Sequence, residues 1–421
     1  ISGILKYRTF PVASNSSRGA QYGIGTYIRQ MTKCLEEVEA IALTIVELES
    51  AGKEVTVTFD ATGKVRYLRI PEIPSLKYKW EFERYYRNAA YLISLYVDVE
   101  QSNIFHLNHL QHLSLGEYLK HRHPTCHTVI TIHYLDWCFQ LNGNVRRFHS
   151  VLKKTVGEEL SKMEQYVLSD YIHDKRYLTG IDRLICLTMF TRELLHKDYD
   201  VPYGKMTVIY NGLKDEAVFL SIDARRKLKT SLWFAEESKI ILFVGRLDSG
   251  KGVDILIHAF RRVLEEVPEA HLIVVGDGSY NRYMKACSGI RNKVTFTGKV
   301  DKDELYAFYR IADVGVMPSF HEQCSYVGIE MLMHGLPVIG TDTTGLKEMV
   351  EDLYCLPLVE TEDDISIPMG LLVRWLVELL RKGERDHRSR EKYEKNYSLD
   401  QMKNRVLNLY NDFDMDRDHL S

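Results

Sequence analysis

The clearest periodic signal lies in the second half of the chain. Short, continuous apolar runs occur at 240–244 (IILFV), 272–275 (LIVV), 294–296 (VTF), 314–317 (VGVM) and 337–339 (PVI). Runs of this length, mostly β-branched and bounded by Gly, Pro or polar residues, suit strands buried on both faces of a parallel sheet. Between them lie amphipathic stretches. In 252–266 (GVDILIHAFRRVLEE) the apolar positions are 253, 256, 257, 260, 263 and 264, the spacing of one helical face. Strand and helix alternating five times predict a doubly wound α/β domain.

The first half follows the same grammar with more decoration. Strands are expected at 4–10, 42–48, 104–107, 128–132, 184–187 and 206–210, and a long helical region at 145–175. Residues 54–70 (EVTVTFDATGKVRYLRI) read as a β-hairpin about Ala61–Lys64, an apparent insertion in the alternation. A boundary after Asn211-Gly212, in the polar segment 213–238, divides the chain into a first domain over 1–215 and a second over 216–396. In open α/β sheets ligands bind beyond the carboxyl ends of the strands, so two such domains facing one another predict a site in a central cleft.

Composition narrows the classes without choosing among them. Of 421 residues, 45% are hydrophobic and 27% charged, as in ordinary globular proteins. Lys+Arg 55 against Asp+Glu 58 gives −3, with no global basic signature for nucleic acid. The longest apolar stretch, 369–380 (MGLLVRWLVELL), is short and interrupted by Arg374 and Glu378, so no spanning helix is expected. The seven cysteines (34, 126, 138, 186, 287, 324 and 355) are odd in number, widely spaced and without Cys-x-x-Cys, which favours a reducing cytoplasm over a disulfide framework. The opening ISGILKYRTF lacks the apolar core of a signal peptide, and it lacks Met.

Candidate chemistry sits at the strand ends. In 244–252 (VGRLDSGKG), Gly245 and Arg246 follow a strand and Lys251-Gly252 opens a helix. Two cations beside a helix N-terminus make an anion site suited to a diphosphate; a pair of solvated surface cations is the bland alternative. In 318–330 (PSFHEQCSYVGIE), Glu322 lies in the loop after a strand and Glu330 about one turn into the next helix. Such carboxylates can accept sugar hydroxyls and a ribose diol, while the N–H groups of Ser325, Tyr326 and Val327 at the helix start face phosphate.

Taken in order, G-R-x4-K-G, V-x-G-D-G (274–278), F-x-G (296–298), A-D-V-x-V-x-P-S-x-x-E (312–322) with Glu330, and G-L-P-V-I-G-T (335–341) resemble the retaining glycosyltransferases of family four. The resemblance is strongest over 240–350 and weaker over RGAQYGIG (18–25), Thr131–His133, 184–187 and VIYNG (208–212). It implies a GT-B fold of two Rossmann-like domains, with 397–421 forming a helix that packs back on the first. It also implies a hexosyltransferase that moves a sugar from a nucleotide-diphosphate donor, UDP favoured over GDP, to the hydroxyl of a glycan, lipid-linked or protein acceptor. By matched position, Arg246 and Lys251 hold the donor diphosphate, Glu330 the ribose and Glu322 the donor sugar. His133 faces sugar and acceptor, and Gly23 matches a close backbone approach. Asn211 ends the last strand of the first half as a cleft-lining candidate. Fixed cations substitute for a metal, so no metal or other cofactor is expected.

There are departures. Ser325 stands where the family often has Gly, and His133-Tyr134 where it often has His-Asp; the Asp role is not transferred to nearby Asp136. Cys324 reads as a neutral, pocket-shaping residue, because no basic partner for a thiolate is evident. His106, His109 and His112, or His123 and His127, lack a carboxylate or Cys to complete a metal set; His106, at a strand end, is a candidate to face the cleft. Lys120, Arg122, Arg146, Arg147, Lys153 and Lys154, against Asp136 alone, offer either a solvated helix face or a peripheral contact with the inner face of a membrane. A nucleotide-sugar epimerase and a non-catalytic glycan-binding subunit remain as alternative functions.

Overall fold

The computed structural model describes residues 7–14, 23–50, 52–71, 79–154 and 159–418. They form two compact units. The first comprises Ile1–Leu135, Gln165–Asn211 and Leu399–Ser421, and the second Asp136–Glu164 and Gly212–Ser398.

The first unit holds β1 (Tyr7–Ser14), β2 (Ile41–Ser50), β3 (Thr56–Phe59), β4 (Val65–Pro71), β5 (Ser102–Leu107), β6 (His127–Ile132), β7 (Arg183–Cys186) and β8 (Met206–Val208). They make one sheet in the order β3-β4-β2-β1-β5-β6-β7-β8. All neighbours are parallel except β3 and β4. The expected hairpin is therefore only half an insertion: β4 is a parallel strand beside β2, and β3 alone is added at the edge. All four residues of β3 are exposed, as befits that edge. β1 covers 7–10 of the strand expected at 4–10 and runs on to Ser14; residues 4–6 lie outside the described set.

Helix Gly23–Glu36 buries Ile24, Tyr27, Met31, Cys34 and Leu35, one stripe at helical spacing. Helix Leu399–Asp418 belongs to this unit and packs on it, burying Met402, Val406, Leu409, Tyr410 and Phe413. Lys403 pairs with Glu37 at 2.8 Å, and Phe413 stacks on His127 at 4.2 Å between ring centres.

The second unit holds β9 (Lys239–Val244), β10 (Ala270–Val275), β11 (Val294–Gly298), β12 (Val314–Met317), β13 (Val338–Thr341) and β14 (Tyr354–Leu356), and a small antiparallel pair, β15 (Val359–Glu360) and β16 (Ile365–Ser366). The main sheet is wholly parallel, ordered β11-β10-β9-β12-β13-β14, the Rossmann order, which reverses between β9 and β12. Helix Val253–Glu266 turns Val253, Leu256, Ile257, Phe260 and Val263 into the core, as its spacing predicts. The Asp of the A-D-V motif is structural: Asp313, 4% exposed, accepts from the Ile240 amide at 2.7 Å and from Arg225 at 2.8 Å, tying the start of β12 to that of β9.

The helical region expected at 145–175 is two helices, Val145–Lys153 and Lys162–Leu178. Its first part groups with the second unit rather than with the first, in which its sequence position places it. Asn144 accounts for this. It caps the helix by accepting from the Arg147 amide, and its amide nitrogen donates to the Thr361 carbonyl at 2.7 Å.

Candidate active site

The site is built where the order of the second sheet reverses, from the segments that leave β9 and β12. After β9 the chain passes Gly245, Arg246 and Asp248, makes a 3₁₀ turn at Ser249–Lys251, and enters helix Val253–Glu266 through Gly252. Gly252 has φ +65°, and a Cβ there would lie 2.0 Å from the Pro318 carbonyl oxygen. Only a residue without a side chain lets the two segments lie this close. The Phe320 amide donates to the Gly250 carbonyl at 2.9 Å across the same junction. Gly276, in V-x-G-D-G, has φ +137°, and a Cβ there would meet the Gly245 carbonyl oxygen at 1.8 Å. The Gly276 amide donates to the Gly298 carbonyl of F-x-G at 2.9 Å. The glycine motifs thus knit the ends of β9, β10, β11 and β12 into one floor.

On this floor Lys251 and Glu322 are ion-paired, with side chains 18% and 14% exposed. Ser319 donates to the same carboxylate oxygen at 3.1 Å. Thr344 fixes the Glu322 backbone: its hydroxyl accepts from the Glu322 amide at 3.2 Å and donates to the Glu322 carbonyl. Arg246 is more open, 44% exposed, with Asp248 at 3.3 Å. Such a loose surface pair contributes little, so the guanidinium is easily recruited by an anion.

Helix Tyr326–Met333 starts at Ser325, whose hydroxyl accepts from the Gly328 amide. The residue that departs from the family pattern is thus the cap, and the first-turn amides of Tyr326 and Val327 open the helix at the positive end of its dipole. Cys324 is buried beside it. Glu330, half-buried in the second turn, accepts from the Tyr309 hydroxyl at 2.8 Å. Burial pushes its pKa up to about 7 against that hydrogen bond. Tyr309 stacks on His334 and comes from helix Lys302–Ile311. No motif pointed to it, since it lies 21 residues before its partner.

In the first unit His133 follows β6, its Nε2 3.4 Å from the Asn108 side-chain oxygen and its ring edge-on to Tyr27 at 4.6 Å. Burial, with His109 and His106 nearby, holds its pKa well below the ordinary imidazole value, so the ring is uncharged. Gly23 opens its helix, and a Cβ there would meet nothing within 4 Å among the described residues. Residues 18–22 of the RGAQYGIG segment lie outside them. Asn211 is buried at the end of the unit.

His106 does not face an opening. It is fully buried, bridging the Thr131 and Tyr410 hydroxyls at 2.7 Å each, because its position in β5 points it at the C-terminal helix. His109 and His112 are buried with ring centres 5.1 Å apart. Among the described residues no three His, Cys, Asp or Glu are grouped to hold a metal ion, and no helix is long and apolar enough to cross a membrane. The basic region 119–154 is divided between the two units. Lys120 is taken by Asp182 at 3.0 Å and Lys154 by Glu164 at 2.7 Å.

Two Rossmann-type sheets, the second with its polar loops gathered at the switch point, define the GT-B class. Comparisons agree. Residues 22–217 match the Glycosyltransferase Family 4 domain, and 238–368 the Glycosyl transferases group 1 domain. Sucrose-phosphate synthase of Thermosynechococcus elongatus superposes with TM-score 0.70 at 17% identity, over 97% of this chain and 98% of that one. Anabaena HepE, solved in complex with UDP, gives 0.69 at 15%, over 97% and 100%. An uncharacterised glycosyltransferase of Methanocaldococcus jannaschii is 31% identical over 252 residues, 58% of this chain and 63% of that one. The chain spans less than two thirds of the length of the curated relatives it matches. It belongs to the family-four, group 1 glycosyltransferases.

Proposed function

We propose that the chain transfers a sugar, with retention, from a nucleoside diphosphate donor to an acceptor hydroxyl. The observation that carries this reading is the junction of the two loops at the switch point, which sets Lys251 against Glu322 at the mouth of a parallel sheet. Lys251 and Arg246 oppose the charge that grows on the diphosphate as the bond to C1 breaks, which is work a metal ion does elsewhere. Glu330, in its carboxylate form, accepts from the ribose diol, and Glu322 holds the sugar. The acceptor oxygen bonds to C1 on the face the diphosphate leaves. The bonding pair departs with the diphosphate, whose phosphate oxygen takes the acceptor proton. His133, uncharged, serves as a hydrogen-bonding residue for sugar or acceptor rather than as a cation.

UDP is the favoured nucleotide. HepE was solved with UDP and with UDP-glucose, which supports that choice by analogy of fold. Calorimetry with UDP and GDP tests the reading: UDP binds and GDP binds more weakly, while failure of both overturns it. Product mass spectrometry after incubation with UDP-sugars then separates transfer from epimerisation. An intact cation and carboxylate set also favours transfer over a purely glycan-binding role.

A further inference from the structure

A segment that no motif singled out lies against the Glu322 loop. Between helices Asp136–Gln140 and Val145–Lys153, the chain turns through Asn142 (φ +51°) and Gly143 (φ +72°). The turn closes with the Gly143 amide donating to the Cys138 carbonyl at 2.8 Å. A Cβ on Gly143 would lie 2.7 Å from the Phe320 carbonyl oxygen and 3.2 Å from His321 Cβ. Just before this turn stands Phe139, whose ring meets the His321 ring edge-on at 5.6 Å and is 51% exposed. The exposed part of this ring therefore stands beside the residue that precedes Glu322.

The hydrogen bonds fix the His321 tautomer. The Thr344 hydroxyl donates its proton to the Glu322 carbonyl and accepts from the Glu322 amide. At 3.3 Å it can therefore only accept from His321, so Nδ1 carries the proton and Nε2 is an acceptor. Burial and the Lys251 charge keep the ring neutral, with its pKa lowered to about 3. Lys251 itself is already matched by Glu322.

We propose that Phe139 and His321 select the donor sugar: His321 Nε2 accepts from a sugar hydroxyl, and Phe139 covers an apolar C–H face of the ring. The preferred class is a neutral hexose, since the pair adds an acceptor and an apolar plate beside a carboxylate, and no further cation for a sugar acid. The inference rests on the reading that the chain uses a sugar nucleotide.

The test is a panel of UDP-glucose, UDP-galactose, UDP-N-acetylglucosamine and UDP-glucuronate, read as kcat/KM by UDP release, with UDP affinity and melting temperature as controls. At least one neutral donor should exceed UDP-glucuronate by about tenfold or more, the worth of one matched hydrogen bond. His321→Phe and Phe139→Ala should each compress that ratio by about tenfold while UDP affinity holds within about twofold. Phe139→Ala removes a half-exposed ring and should leave the melting temperature near that of the wild type. UDP binding with a ratio near one, or with ratios unmoved in both variants, overturns the inference and leaves the transferase reading standing. Failure of UDP and GDP to bind, with no donor turned over, overturns both.

Discussion

Lys251 and Glu322 come from motifs 71 residues apart and form one ion pair across the ends of β9 and β12. Family resemblance assigns the first to the diphosphate and the second to the sugar. The structure makes them a unit, so neither can be altered without leaving the other half-buried and unmatched. Lys251→Ala should cost about 2–3 kcal/mol of stability, and the double variant with Glu322→Gln less than the two singles combined. Urea unfolding of the four proteins checks this; strict additivity would mean the pair is not coupled. On the proposed mechanism Lys251→Ala should lower kcat about a hundredfold, because the charge assigned to it acts most at the transition state.

Glu330 sets a pH dependence. Its pKa is raised to about 7, so above that value it is a carboxylate, the form the proposed ribose contact uses, and below it a carboxylic acid. Nucleotide affinity should rise with pH, weakening toward about tenfold per unit below the midpoint. Tyr309 donates to the carboxylate and so lowers this pKa; Tyr309→Phe should move the midpoint upward. Stability has the opposite sign. A raised carboxyl favours the folded state at low pH, and that advantage is lost as pH climbs from the unfolded value of 4.5 to about 7. Glu330→Gln should therefore flatten the affinity profile and gain about 2 kcal/mol at pH 8. Calorimetric titrations from pH 5.5 to 8.5 and urea melts at both ends decide it.

Gly252 is a backbone requirement. With φ at +65° and a Cβ destined to lie 2.0 Å from the Pro318 carbonyl oxygen, a methyl group has nowhere to go except by parting the two loops. Gly252→Ala should lose about 2 kcal/mol or more and abolish UDP binding, whereas Gly370→Ala, where a Cβ meets nothing within 4 Å, should do neither. Equal melting temperatures for the two would remove the role given to this contact.

What could be read from the chain alone follows from range. Strands β9 to β13 were visible because each is a continuous apolar run, and the strand-end glycines and charges because their spacing is local. β14 is only Tyr-Cys-Leu, too short to carry a pattern. The partners of His106 lie 25 and 304 residues away, which is why a strand-end histidine looked available to a ligand. The grouping of 136–164 with the second unit depends on bonds such as Asn144 to Thr361, 217 residues apart, and no local pattern encodes them. For the same reason Phe139 and His321 were not paired by sequence.

The buried histidines of the first unit predict sensitivity to acid. Burial lowers His106 to about 3 and His109 to about 4, and His112 and His133 well below the ordinary value of 6.5. The unfolded chain takes up these protons near 6.5 while the folded unit refuses them. A depressed pKa therefore contributes stability above 6.5 that is lost as pH falls toward the folded values. One unit below 6.5 each imidazole costs about 1.4 kcal/mol, so the four together remove about 5.6 kcal/mol, much of the margin of an ordinary domain. Circular dichroism with urea melts at pH 7.5, 6.5 and 5.5 should show that loss. His112→Phe, which keeps a ring beside Tyr86, should remove one imidazole's share of that loss, about 1.4 kcal/mol at pH 5.5. A stability that does not change between pH 7.5 and 5.5 would mean that these rings are protonated, or hydrated, in the folded protein.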